Sequence, residues 1–224
     1  MNLFLLAIVP VIIVVGYIYF KDTFEKEPIK LVFINFLLGA SVSVFLTLSL
    51  SLLGSEIVVS LDEKNLFQIF FHAFITIALV EEFSKYIIVR FYAQKNKEFN
   101  EPFDGIVYAV MVSMGFTAVE NVFYVFQYGA ETGITRAFTA VPAHATFGIL
   151  MGYFMGKAKF SKNRIVLNLS GLFIAIVFHG AYNFFLFLNF IPGLAIGALL
   201  SLILGIILSR KAIKIHQKNS KFNL

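Results

Sequence analysis

Cysteine does not occur in this 224-residue chain. That excludes thiol catalysis, disulfide bridges and thiolate metal sites together. Charge is scarce as well: Asp, Glu, Lys and Arg make up 14% of residues, where soluble domains carry roughly a quarter. No internal repeat, low-complexity tract or soluble domain can be picked out. The serine element GxSxG, the zinc helix HExxH and the aspartyl element GxGD are all missing, which excludes the hydrolases built on them.

What the chain does have is apolar length. It is 59% hydrophobic with a mean hydropathy of +0.85. The apolar runs are long and continuous, without the alternation of a membrane β-barrel. The expected class is therefore an all-α integral membrane protein, a polytopic bundle forming one domain over residues 1–224. Seven spans are expected, at about 3–20, 31–53, 66–91, 104–128, 138–156, 165–188 and 193–209, each long enough for a hydrocarbon core of ~30 Å. No basic residue precedes the first span and no small-residue cleavage site follows it, so it reads as an uncleaved span.

Net charge is +5, and its placement argues against nucleic acid. Lys21, Lys26, Lys30, Arg90, Lys95, Lys97, Lys157, Lys159, Lys162, Arg164 and the basic tail beyond Arg210 fall at one set of span ends. The other set holds only Lys64 and Arg136. This alternation predicts an outside N-terminus and a cytoplasmic C-terminus, with the tail touching anionic lipid.

Ionisable groups within spans cost about 2.5–3.5 kcal/mol each on insertion scales and usually mark function. Four consecutive spans carry them. In the third, Lys85 lies four residues after Glu81 and three after Glu82, within helical reach of either carboxylate. One lysine neutralises one of them and leaves the second as base or ligand. In the fourth, Ser113, Thr117, Glu120 and Tyr124 recur at helical spacing, and the Glu120–Asn121 pair on this stripe reads as a hydrated wall. In the fifth, His144 shares a face with Gly148, Gly152 and Gly156, a small-residue spacing that brings helices close and turns the histidine towards protein. In the sixth, Gly171, Ala175, His179 and Asn183 share a face, so Asn183 is placed to orient the His179 ring or bind substrate backbone. At ~1.5 Å rise per residue, all four spans can bring these groups to one site near the midplane. His72, Asp104 and His216 read as interfacial, span-entrance and tail residues, and the many phenylalanines as packing or lipid-facing bulk.

Carboxylates and histidines around a wet pocket can activate water directly or hold a divalent metal such as zinc, with Glu81, Glu120, His144 and His179 as candidate ligands. Two other classes fit such residues. A proton-coupled transporter also uses buried Glu and His, although no broken-helix repeat pair is present. A non-catalytic scaffold for single-span partners would keep them only for packing.

The ordered set EExxK (Glu81, Glu82, Lys85), GFxxxEN (Gly115, Phe116, Glu120, Asn121), HxxxG (His144, Gly148) and HxxxN (His179, Asn183) resembles the PrsW family of intramembrane proteases, relatives of the CAAX prenyl proteases. The resemblance implies site-1 cleavage of a membrane-anchored anti-sigma factor, a single-span partner, in a bacterial cytoplasmic membrane. It also implies Glu81, Glu82 and His179 as the essential residues, with Glu120 and His144 in support. Lys85, Asn121 and Asn183 complete the supporting set. In the CAAX relatives a histidine stands where Glu120 stands here, which leaves glutamate and metal chemistry both open.

Overall fold

A computed structural model describes residues 2–55 and 65–222. The acidic loop from Glu56 to Lys64 lies outside the described residues. No strand occurs among the described residues, and seven helices are long and apolar enough to cross a membrane. In chain order the elements are α1 (Leu3–Lys21), α2 (Ile29–Leu53), α3 (Leu66–Lys95), α4 (Pro102–Tyr128), α5 (Ala130–Phe138), α6 (Ala140–Lys159), α7 (Arg164–Phe187) and α8 (Ile196–Lys218). The chain is a multi-pass membrane protein.

The centre of the bundle is α4, buried almost without interruption from Phe103 to Ala118. Helices α1, α2 and α6 pack directly on it, and α7 and α8 lie against α6. The outer helices show large apolar side chains to the surroundings, as Phe20, Phe45, Leu53, Phe67 and Ile165 do. In a bilayer that surface meets lipid tails, so it is the ordinary exterior of such a protein and not a defect.

Glycine sets the closeness of the central contact. A Cβ on Gly152 would lie 2.3 Å from the Gly105 carbonyl oxygen, and one on Gly156 would lie 2.0 Å from that of Pro102. The fifth-span glycine face is therefore the α4–α6 seam. A second seam joins α2 to α4, where Gly115 meets the Phe36 carbonyl and Gly39 meets that of Val112. Gly39 opens a π-helical turn, Gly39–Ser43, that widens α2 at this crossing.

Two span boundaries differ from the sequence reading. The fifth span was expected from 138, but helix begins at Ala130 and breaks at Thr139, whose backbone leaves helical geometry (φ −122°, ψ −75°). The result is a short amphipathic helix, α5, laid across the ends of α1, α4 and α6. The seventh span was expected to end near 209, but α8 continues to Lys218 because Ala212, Ile213 and His216 keep a buried face between the basic residues. His216 is accordingly not a tail residue. It stacks on Tyr153 and bonds that residue's carbonyl at 3.0 Å.

The polar connections that carry the excess of Lys and Arg are tied together at one end of the bundle. Asn100 donates to Glu25 at 3.1 Å, Lys159 donates to the carbonyls of Gln94 and Asn96, and Gln217 donates to that of Lys21. Ser220 also bonds Glu101. This is called the basic end below. The opposite end carries α5.

Candidate active site

The chain reaches Glu81 through a π-helical stretch, His72–Leu79, and only at Val80 does regular α-helix resume. Such wider turns cluster at functional sites because they re-aim the side chains that follow. Gly180 lets the stretch approach α7, since a Cβ there would lie 2.3 Å from the Phe74 ring. Below the carboxylates, the Ser84 hydroxyl bonds Ser43 at 2.7 Å and Thr47 at 2.8 Å, which fixes α3 to the widened turn of α2.

The two glutamates have different surroundings. Glu82 is fully enclosed, and its Oε1 accepts from Lys85 Nζ at 2.7 Å and from His179 Nδ1 at 2.9 Å. Glu81 is the more open of the two, with a 12% exposed side chain, and its Oε2 lies 3.5 Å from Lys85 Nζ and 4.0 Å from His179 Nε2. Lys85 thus touches both carboxylates, with the short bond to Glu82. Its third contact is His144 Nδ1 at 3.3 Å, and its ammonium also lies 4.3 Å from the centre of the Phe116 ring.

Hydrogen-bond partners assign the tautomers. Lysine can only donate, so His144 Nδ1 accepts from Lys85, and its Nε2 proton goes to Glu120 Oε2 at 3.0 Å. A carboxylate can only accept, so His179 donates from Nδ1 to Glu82, which leaves its Nε2 lone pair directed towards Glu81. Phe147 stacks on the His179 ring at 4.8 Å and 15°, holding its plane. The two imidazoles meet edge to face at 5.1 Å.

Above these groups lies a cavity of about 460 Å³. Glu81, Glu120, His144, His179 and Asn183 line its floor and sides, while Tyr124, Leu186 and Phe187 form an exposed mouth at the α5 end. Asn183 hydrogen-bonds no other described side chain. The His179 ring is held by Glu82 and Phe147 instead, so the amide is left free at the cavity wall.

The structure brings Glu81, Glu82, Lys85, Glu120, His144 and His179 together from four helices, and it corrects two expectations. Asn121 faces away from the cavity: adjacent residues point about 100° apart on a helix, and its amide reaches the Ala7 carbonyl of α1 at 2.8 Å. Ser113 and Thr117 do not form a hydrated wall, since they are buried and bond the backbone carbonyls of His144 and Ser113.

Arg136 was missed. From α5 it donates to Glu120 Oε2 at 2.8 Å and to Asn121 Oδ1 at 2.6 Å, and it lies over the Tyr124 ring at 4.1 Å. It is the lone Lys or Arg between Lys97 and Lys157, and that isolation was the available signal.

The comparisons with known proteins decide the family. The family described as PrsW family intramembrane metalloprotease matches residues 27–209. The chain is 40% identical to the protease PrsW of Oceanobacillus iheyensis over 181 residues, 80% of each chain. It is 35% identical to that of Geobacillus kaustophilus over 80% of this chain and 77% of the relative. Against that of Bacillus subtilis it is 34% identical over 80% of each. No solved structure matches the chain. The chain belongs to the PrsW family. It is a membrane-embedded peptidase.

The name of this family implies a metal, and the donor set can be tested for one. One ligand atom each from Glu81, Glu82, His144 and His179 lies within 4.8 Å of the other three. Buried Glu82 Oε2 has no hydrogen-bond partner, and both imidazoles turn a lone pair inward. Nitrogen and carboxylate donors in that number suit zinc. Glu120 is outside the set because its Oε2 already serves Arg136 and His144. It has the place of the carboxylate that orients a ligating histidine from behind. The residues fit a divalent ion, with the Lys85 ammonium as its competitor for the same donors.

Proposed function

We propose that this PrsW-family peptidase hydrolyses a peptide bond of a single-span membrane protein, as site-1 cleavage of an anti-sigma factor in a bacterial cytoplasmic membrane. The basic end faces the cytoplasm in this reading, which follows the positive-inside rule, and the cavity mouth lies towards the outer side. The observation that carries the proposal is the contrast between the two glutamates. Glu82 is enclosed and bonded to Lys85 and His179, whereas Glu81 opens on the cavity.

Glu81 is the general base. Its carboxylate takes a proton from a water in the cavity, the water oxygen adds to the scissile carbonyl carbon, and the proton passes to the departing amide nitrogen as the C–N bond breaks. Products are a carboxylate and an amine. Glu82 holds the His179 ring and neutralises Lys85, and the free Asn183 amide binds substrate backbone or the developing oxyanion. Glu82, His144 and His179 would hold a divalent ion such as zinc beside Glu81, an ion that when bound polarises the carbonyl and the water. Apolar Leu186 and Phe187 at the mouth suit a substrate segment arriving from lipid.

The test is cleavage of a co-reconstituted single-span substrate by wild type and Glu81→Gln. A folded Glu81→Gln protein that cleaves at the wild-type rate would remove Glu81 from the reaction.

A further inference from the structure

A second carboxylate cluster lies at the basic end, far along α4 from the peptidase site. Glu25 and Glu27 come from the connection between α1 and α2, and Asp104 from the first turn of α4. One oxygen of each lies within 4.8 Å of the other two. Asp22 and Glu101 adjoin them, Asp22 Oδ2 accepting from the Glu27 amide at 3.0 Å and Glu101 preceding the helix start.

Asp22, Glu25 and Asp104 are each held by one oxygen and leave the other unused. Asp104 Oδ2 accepts from the amides of Asn100 and Glu101 at 2.6 and 2.7 Å, capping α4, while its Oδ1 is orphaned. Glu25 Oε1 accepts from Asn100 Nδ2, and its Oε2 is orphaned. The exception is Glu27, 1% exposed, whose two oxygens both lack a donor and face the Asp104 carboxyl. The side-chain oxygen of Asn100 is unpartnered as well.

A buried acceptor without a donor costs about 1–3 kcal/mol, and more when it is charged, so a group of them calls for a cation. Of the protein's own cations, Lys159 lies near enough to act on Asp104 and Glu27, Lys26 on Asp22 and Lys221 on Glu101, but none closes an ion pair with them. Lys159 donates to two backbone carbonyls, Lys26 lies over the Tyr19 ring and Lys221 over the Phe222 ring. No salt bridge reaches Asp22, Glu25, Glu27, Glu101 or Asp104 among the described residues.

We propose that Glu25, Glu27 and Asp104 form a binding site for a hard divalent cation, Mg²⁺ or Ca²⁺ in class, which clamps the α1–α2 connection to the N-terminus of α4. All-oxygen donors select such ions over zinc, so this site and the Glu/His site in the bundle divide the metals by chemistry. Without a cation, burial and the Asp104 carboxylate push the Glu27 carboxyl up to about 10, so the empty cluster holds protons instead.

The full chain, stripped with EDTA in detergent, is titrated with Mn²⁺ followed by electron paramagnetic resonance, and its melting temperature is read with and without millimolar Mg²⁺. His179→Ala, which lacks a ligand of the Glu/His site, should still bind Mn²⁺ at the carboxylate cluster and, like wild type, melt higher with Mg²⁺. Added to His179→Ala, Glu27→Gln or Glu25→Gln should weaken that binding at least ~10-fold, and either alone should abolish the Mg²⁺ effect. Glu27→Gln keeps the shape of the side chain, and Glu25 is a half-buried rim residue, so one folded variant is secured. No Mn²⁺ binding by His179→Ala overturns the proposal and leaves Glu27 and Asp104 sharing a proton. Undiminished Mn²⁺ affinity in both double variants also overturns it. Failure of substrate cleavage has no bearing on these readouts.

Discussion

Arg136 reaches Glu120 across 2.8 Å from a helix that is not part of any expected span. The same Glu120 oxygen accepts from His144, so a residue at the cavity mouth governs the orientation of a histidine on its floor. Side-chain exposures of 13% and 21% make this a partly buried pair. Arg136→Gln should therefore lower stability by about 1–3 kcal/mol, less than a fully enclosed pair. In a double-mutant cycle with Glu120→Gln the coupling should be about 1–2 kcal/mol. Thermal unfolding in detergent measures both, and additive single effects would show that the pair is not coupled.

The adjacent glutamates should separate by the kind of damage they cause. Glu81→Gln should leave the fold nearly unchanged and lower the cleavage rate by about 10²–10⁴, the usual contribution of a general base. Glu82→Gln leaves Lys85 enclosed without its short ion pair, which costs on the order of 3–5 kcal/mol. It should lose thermal stability as well as activity. Replacing Lys85 together with Glu82, as Glu82→Gln/Lys85→Met, should regain much of the stability and none of the activity. Melting temperatures and cleavage rates of the three variants make the comparison.

Much of this site could be read from sequence because charge inside an apolar run is costly enough to mark itself. That logic reached Glu81, Glu82, Lys85 and Glu120, and the shared faces with glycine added His144 and His179. It could not say which glutamate meets the cavity, since helical arithmetic gives only their divergence and the π-helical stretch at His72–Leu79 resets their rotation. The same arithmetic, applied to Glu120 and Asn121, would have turned Asn121 towards α1. Arg136 escaped because hydropathy assigns it to a loop, and its role depends on the break at Thr139. At the basic end, Asp104 reads as an ordinary entrance charge, and nothing in the sequence singles out Glu27. Their burial comes from the packing of three connections together, which no local pattern records.

The seam between α4 and α6 carries the His144 helix, so its geometry should be intolerant of even a methyl group. A Cβ on Gly152 would stand 2.3 Å from a backbone carbonyl oxygen, which cannot rotate away. Gly152→Ala should destabilise by about 1–3 kcal/mol through forced helix separation. Gly16→Ala, where nothing lies within 4 Å of the added carbon, should be neutral or slightly stabilising. Equal melting temperatures for the two variants would contradict the seam.

Metal content should follow the inward lone pairs. Purified protein is expected to carry about one zinc per chain, and 1,10-phenanthroline should abolish cleavage with zinc restoring it. His179→Ala removes the Nε2 lone pair that faces Glu81, and His144→Ala removes the Nδ1 acceptor beside Lys85. Both should lose most of the bound zinc. Glu120→Gln leaves the donor set intact but loosens the histidine behind it, so a drop of about 10–100-fold in zinc affinity is expected without loss of stoichiometry at saturating metal. Elemental analysis with competition by a chromogenic chelator measures these values. Full cleavage by zinc-free protein would instead leave Glu81 and His179 to activate water alone, with the Lys85 ammonium keeping its place between the carboxylates.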